Sequence, residues 1–385
     1  MRHFRKASLR YLTSSLALAA LLAACGGSAG SGAPTSGGAS SAASPAATSS
    51  LPAEVQRLIA AVKSNNENEI NLSWGETTIG GQEAATEIVD LINKNYGLKV
   101  GLNFTPGPSM TDIAGKITQE AAAGQKATTD VFLGSEGHFA ALLKNGGLES
   151  YDYTQLSPRI TKDIVVTQNI GVEIASRFPG ITYNTNLIKP DQAPKKLTDL
   201  LDPKWKGKIA GEPNAASLDR VAYRPEWTPD KMKDFVKQYS QNLGGLIRCE
   251  ELNRVSSGEF EMFGMDCGSY EVLRQRAKGA PLGHVVPEDA ALSVFFFLGV
   301  PKTSAHPNLA KLYINMVLSE QGQQILYKTS LADLHSLPGS QSAAELKELQ
   351  AKGIKPLPID PQFIIDHPED VQLRDDLTKL VRQKS

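Results

Sequence analysis

Between residues 69 and 144 the apolar positions alternate between the two-residue period of a strand and the 3.6-residue period of a helix. Residues 70–74 read as a short strand, 82–96 as a helix with Ala84, Ile88, Leu91 and Ile92 on one stripe, and 99–104 as a second strand. Ser109-Met110-Thr111-Asp112 has capping-box spacing and opens a helix that continues through residue 121. A third strand at 130–133 leads through Gly134-Ser135-Glu136-Gly137 into a helix at 138–144, and a short amphipathic helix at 51–63 precedes them all. Strands alternating with helices imply a parallel sheet, whose ligand sites lie beyond the carboxyl ends of the strands. The loops at 74–78, 106–110 and 134–138 are therefore the ones to watch.

The same grammar returns further on. A strand at 208–211 delivers Glu212-Pro213-Asn214-Ala215-Ala216-Ser217 to a helix start, and a strand-like run at 258–265 delivers Asp266-Cys267-Gly268-Ser269 to a helix at 270–278. Residues 197–201 and 231–239 read as helices, as do 309–318, 320–327, 342–352 and 368–382. Between the two halves, Ser176-Arg177-Phe178-Pro179-Gly180 separates extended apolar runs at 163–175 and 181–183 and leaves no room for a helix. A second extended run, 290–300, carries Val294, Phe295, Phe296 and Phe297. Two extended crossings between two α/β lobes would form a cleft with a hinge, a device for closing on a small molecule. The alternative is that both runs are ordinary buried strands of one domain.

A chain of 385 residues exceeds one ordinary core, which favours two lobes. Forty basic residues against forty-one acidic ones create no global field for nucleic acid or an anionic membrane. At the N-terminus, Arg2, Arg5, Lys6 and Arg10 precede an apolar run at 12–24 that is too short for a permanent membrane helix. It ends in Leu22-Ala23-Ala24-Cys25, which resembles the bacterial lipobox: residues 1–24 are expected to be a signal peptide and Cys25 the acylated first residue of the mature chain. Acyl chains contribute about 0.8 kcal/mol per buried methylene, so several of them anchor a protein with no transmembrane helix. Residues 25–50 are almost entirely Gly, Ser, Ala, Pro and Thr and read as a flexible linker. Cys249 and Cys267 are the two remaining cysteines, either bridged or free and buried; a bridge would add roughly 3 kcal/mol by loop entropy.

Several phrases together resemble the type II solute-binding proteins of ABC importers. They are Thr129-Asp130-Val131-Phe132, the loop at 134–138 with Leu142-Leu143-Lys144-Asn145-Gly146-Gly147-Leu148, Ile181-Thr182-Tyr183-Asn184-Thr185, and Leu200-Leu201-Asp202-Pro203-Lys204-Trp205-Lys206-Gly207-Lys208-Ile209. Ser257-Gly258-Glu259 and Ala305-His306-Pro307-Asn308-Leu309 continue the match in order. The resemblance is to the branch called iron(III)-binding, and it implies an α/β, two-lobed type II periplasmic-binding-protein fold hinged by at least two crossing strands. It also implies an extracytoplasmic monomer that passes a small solute to permease and ATPase subunits, with no cofactor and no catalysis of its own. Ferric-binding members hold the metal with two adjacent tyrosines, and that pair falls on Gly268 and Ser269, neither of which is a phenolate donor. Their carboxylate falls on Ser135 or Glu136.

The domains expected are lobe 1 from 51–178, lobe 2 from 179–287, a return strand with the rest of lobe 1 from 288–335, and a helical tail from 336–385. Candidate ligand contacts are Trp74, Ser109, Ser135, Glu136, Tyr183, Asn214, Ser217, Asp266, Gly268 and Ser269, and no metal site is assigned. Each has a structural alternative: a cap for Ser109, Ser135, Asn214, Ser217 and Asp266, core packing for Trp74. Helix N-termini bearing small residues suit an anionic organic solute, the leading expectation, with ferric iron second. A ligand-presenting sensor and an extracytoplasmic hydrolase are rivals of other classes. Leu133-Gly134-Ser135-Glu136-Gly137 lacks the first glycine of a nucleophile elbow, and neither an HExxH pair nor a phosphate-binding GK[ST] loop occurs.

Overall fold

The computed structural model describes residues 51–215 and 217–383; the expected signal peptide, Cys25 and the linker lie outside the described residues. Lobe 1 begins with α1 (Ala53–Ser64), β1 (Glu69–Trp74), α2 (Gly81–Tyr96), β2 (Gly101–Pro106), α3 (Met110–Ala122), β3 (Phe132–Gly134), α4 (Glu136–Asn145) and β4 (Val172–Arg177). Lobe 2 follows as β5 (Ile181–Asn184), β6 (Ile209–Gly211), α5 (Leu218–Val221), α6 (Pro229–Asn242), β7 (Leu243–Leu246), α7 (Asn253–Ser256), β8 (Met262–Gly264), α8 (Ser269–Ala277) and β9 (Leu282–Val285). The chain returns through β10 (Leu292–Gly299) to α9 (Pro307–Val317) and α10 (Glu320–Ser330), and finishes with α11 (Gln341–Ala351), β11 (Leu357–Ile359), α12 (Pro361–Asp366) and α13 (Asp370–Arg382).

In lobe 1, β1 runs parallel to β2 and bridges in parallel to Val131, just ahead of β3, whereas β10 is antiparallel to both β3 and β4. Lobe 2 has the order β7-β6-β8-β5-β9, with β6 parallel to its neighbours and β5 antiparallel to its own. The antiparallel members are the crossing strands, as a chain that leaves a parallel sheet and returns requires. Some expected strands are shorter. Of the run 163–175 only the end is strand; Val165 bridges to Val172 across a turn in which Gln168 and Asn169 take positive φ. Residues 197–201 form a 3-10 turn, and only Met262–Gly264 of the run 258–265 pairs as strand.

Two separate cores make two lobes. One holds Ile70, Leu72, Ile88, Phe132, Phe139 and Phe295 through Leu298; the other holds Ile181, Leu200, Ile209, Met232, Phe235, Leu292 and Val294. The boundary falls inside β10, between Val294 and Phe295, so one strand is anchored in both cores. Each fully buried phenylalanine contributes roughly 2–3 kcal/mol, which makes either anchorage costly to undo. The first crossing behaves likewise: Ala175 belongs to lobe 1, Ile181 to lobe 2, and Phe178 between them packs with Val286, Ala291, Leu349 and Ile354.

The C-terminal segment is not a free appendage. α11 supplies Leu349 to the hinge cluster, β11 pairs in parallel with the lobe 2 end of β10, α12 packs on α4 of lobe 1, and α13 packs on α5 and α6 of lobe 2. It therefore touches both lobes. Cys249 and Cys267 form a disulfide. Among the described residues no helix is long and apolar enough to cross a membrane.

The crossing is pinned by Asp266, which is buried and accepts hydrogen bonds from the amides of Gly180 (3.0 Å) and Gly268 (2.8 Å) and from the Thr182 hydroxyl. His284 stands 3.2 Å from it; burial opposes the charged ring, but Asp266 outweighs burial and raises the His284 pKa. Asp266→Ala leaves two amides and a hydroxyl unpaired at the hinge. We expect it to lower the unfolding free energy by roughly 3–5 kcal/mol, read by denaturant titration.

Candidate functional site

Where the lobes meet, a cavity of 430 Å³ is walled by Thr111 and Thr118 of α3, Ser135 and His138 at the start of α4, Arg220 of α5, and Asp370 and Arg374 of α13. Ser135 ends β3 and caps α4, which orients His138 one turn on. The Ser135 amide donates to His138 Nδ1 at 3.2 Å and its hydroxyl lies 3.0 Å from the same atom. Nδ1 is thus the acceptor, and Nε2 carries the proton that it offers to Thr111 Oγ1 at 3.1 Å. Burial and the guanidiniums of Arg374, Arg177 and Arg220 outweigh the Glu136 carboxylate and hold the His138 pKa below its ordinary value. The imidazole is neutral at pH 7.

Charge in the cavity is organised around Arg220. It is buried and reaches across the interface to Glu136 of lobe 1 at 3.0 Å, while its other arm lies 3.3 Å from Asp219. Burial opposes this charge, but Asp219, Glu136 and Asp370 together raise the Arg220 pKa. Arg374 pairs with Asp219 as well and lies 3.6 Å from Asp370. Arg177, at the end of β4, stacks its guanidinium on Phe296 at 4.2 Å. Four buried atoms in this neighbourhood have no hydrogen-bond partner: Glu136 Oε2, Arg177 Nε, Arg220 Nε and Asp370 Oδ1. Buried polar atoms without partners are costly, and these four make the interlobe cavity the candidate ligand site. Among the described residues no group of three or more His, Cys, Asp or Glu side chains is arranged to hold a metal ion.

Comparison with known proteins decides the family: its model, described as bacterial extracellular solute-binding protein, matches residues 87–356. The chain belongs to this family. The major ferric iron-binding protein of Neisseria meningitidis serogroup A is 25% identical over 277 residues, 65% of this chain and 77% of its own. Iron-bound HitA from Pseudomonas aeruginosa has a TM-score of 0.62 at 19% identity, covering 80% of this chain and 99% of its own. AgtB of A. tumefaciens R10, solved in complex with agropinic acid, has a TM-score of 0.63 at 17% identity, covering 82% and 99%. The fold is the two-lobed type II periplasmic-binding-protein fold, and the partners of this extracellular solute-binding protein are a small molecule and an ABC transporter.

Of the candidates read from the sequence, Ser135 and Glu136 lie at the interlobe site. Ser217 is buried at φ 69° and starts the short helix that carries Arg220. Ser109 is exposed and caps α3, accepting from the Asp112 amide at 3.2 Å. Asn214 is exposed and tied to α13: Thr378 donates to its carbonyl at 2.9 Å and Arg382 to its side chain at 2.7 Å. Trp74 packs edge-on against Phe104, 5.5 Å away, in the lobe 1 core. Tyr183 is in the lobe 2 core, in space left by Gly283, where a Cβ would lie 2.2 Å from its ring. Asp266 is the hinge pin. Gly268, at φ 121°, passes Arg177 too closely for a side chain, and Ser269 donates to Glu345 of α11 at 2.8 Å. Sequence reasoning missed Thr111, His138, Arg177, Arg220, Asp370 and Arg374. The one local signal was Asp219-Arg220, a charged pair between the apolar Leu218 and Val221.

Two outcomes follow from these charges in the solute-binding protein. Glu136→Ala removes the lobe 1 half of the interlobe ion pair, and we expect a larger radius of gyration for the ligand-free chain in small-angle scattering. Burial and the neighbouring Asp219 push the Asp370 pKa up to about 7, against the pull of Arg220 and Arg374. An unfolded aspartate titrates near ~3.9, so the native state binds this proton more tightly and loses stability as pH rises from about 4 to about 7. Asp370→Asn removes that loss, and its melting temperature is expected to gain on wild type between pH 5 and pH 8.

Proposed function

We propose that the protein is tethered through acylated Cys25, works as a monomer, and closes its lobes on a small organic solute bearing a carboxylate or a similar anion, which it delivers to the permease of an ABC importer. The observation that carries the solute class is the buried Arg220 in the cavity wall, already engaging a carboxylate from the opposite lobe, with the half-buried Arg177 near by; among the described residues the Nε atom of each lacks a partner. Arg220 holds Glu136 as a ligand carboxylate would be held, and Arg177 is stacked on Phe296 and forms no ion pair with a carboxylate among the described residues. Guanidinium donors in a desolvated cleft recognise carboxylate and phosphonate groups through paired, charge-assisted hydrogen bonds. Solute bridging both lobes favours the closed form, which is the form a permease distinguishes. The Ser135 hydroxyl lies 3.0 Å from His138 Nδ1, but that contact is made within the cap of α4, where the same nitrogen also accepts the Ser135 amide, and the family match supports capture rather than turnover.

Ferric iron is the second reading, favoured by the similarity to the Neisseria protein. Against it stand Gly268 and Ser269 at the positions of the tyrosine pair, and a Tyr270 ring that packs on Phe296.

A thermal-shift panel of carboxylates, phosphonates and ferric citrate separates the two. A carboxylate solute at about 100 times its dissociation constant adds about 2.7 kcal/mol of stability. Arg177→Met keeps contact with Phe296 and removes the charge; we expect carboxylate affinity to fall about 30-fold or more while the ligand-free melting point barely moves. A stabilising response to ferric citrate alone, with a visible charge-transfer band, would replace the carboxylate reading with the metal one.

A further inference from the structure

We propose that Asp370, contributed by the C-terminal helix α13, is a solute-recognising residue, and that the solute carries a cationic amino group in addition to its anionic one. The inference rests on the carboxylate reading of the same cavity and narrows it to zwitterions. Asp370 is 2% exposed and lines the cavity; its carboxyl neighbours that of Asp219, and among the described residues its Oδ1 atom accepts from no donor. An ionised carboxylate accepts several hydrogen bonds, and one that is buried must be paired or it costs stability.

The surrounding groups do not meet that need. Three buried carboxylates, Glu136, Asp219 and Asp370, face two guanidiniums, Arg220 and Arg374. Arg220 is spent on Glu136 and Asp219, and Arg374 is closer to Asp219 than to Asp370. His138 across the cavity is neutral, Arg177 forms no ion pair with any of the three carboxylates among the described residues, and on the α12–α13 side His367 pairs with the exposed Glu369. When Asp370 is protonated it shares that proton with Asp219; when it is ionised, as at pH 8, one negative charge is left over beside the cavity. An ammonium group docking there supplies the missing donor and the missing positive charge at once. The two poles of the cavity are then distinct: arginine Nε donors for the acid of the solute, and Asp370 for its amine. The specificity for the amine comes from the C-terminal segment rather than from either lobe.

The test uses the full chain at pH 8, with calorimetry and thermal shift, and matched probes: 5-aminovalerate with valerate and pentylamine, and L-glutamate with glutarate. A zwitterion is expected to bind at least 10-fold more tightly than its deaminated partner. Asp370→Asn is expected to abolish the discrimination, so that the zwitterion and its deaminated partner bind within about twofold of each other. Equal binding of a zwitterion and its deaminated partner by wild type, or an equal loss of both in D370N, overturns the inference and leaves the carboxylate reading standing. Binding of pentylamine without the acids overturns the carboxylate reading and the zwitterion with it, as does the absence of any response. Should D370N fold poorly, the wild-type comparison of matched probes decides alone.

Discussion

A guanidinium taken out of water has to be paired, and in this protein Arg220 finds its partners on both sides of a lobe boundary. Its contact with Glu136 is the direct ionic link between a lobe 1 helix start and a lobe 2 helix. Breaking such a pair leaves two desolvated charges and costs roughly 3–5 kcal/mol unless water enters as the lobes part. Lobe separation is therefore coupled to hydration of the cleft: the ion pair is stable when the lobes are together and dry, or when they are apart and wet, and poor in between. A two-position device follows from electrostatics before any ligand is considered.

The backbone permits that motion because the two cores are separate and the crossings from β4 to β5 and along β10 are extended chain. β10 passes from one core to the other between Val294 and Phe295, so neither lobe needs to repack when the segment between them flexes. Asp266 supplies the complementary stiffness. By holding the amides of Gly180 and Gly268, it fixes the place where the first crossing enters lobe 2 to the place where α8 begins. Gly268 then brings its backbone against Arg177, so the hinge pin and the stacked arginine share one tight spot. The tail adds a constraint of its own, since α12 rests on lobe 1 and α13 on lobe 2. Opening has to be accommodated within the few residues between those two helices.

Much of this architecture was legible in the chain, and the failures have identifiable causes. Alternating strand and helix periods located both lobes, and the run of Phe295 to Phe297 located the return crossing, because continuous apolar extension has few other uses. The extent of β4 was overread because Val165 and Val166 have strand composition, while the turn at Gln168 and Asn169 is made by positive φ without a glycine. Tyr183 was read as a ligand contact and lies in the lobe 2 core; all four residues of β5 are buried, so no alternation distinguishes a cleft-facing side from a core-facing one. Among residues at the candidate site, Ser135 and Glu136 were legible because they sit at a helix start after a strand, a position with a rule attached. Arg220, Arg177, Asp370 and Arg374 obey no local rule. Their significance lies in partners far away in sequence, which only tertiary packing brings together.

The same long-range packing bears on what a solute must contribute. Glu136 already satisfies part of Arg220, so an acid that merely replaced Glu136 would exchange one ion pair for another and shift the lobe equilibrium little. A ligand moves a conformational balance only by what it gains in one state over the other. The gain has to come from the groups that protein alone leaves unpaired when the lobes are together: the Nε atoms of Arg177 and Arg220, and the free oxygen of Asp370. These atoms belong to lobe 1, lobe 2 and the tail respectively, and a solute that reaches all three draws on contacts that cannot coexist once the lobes separate.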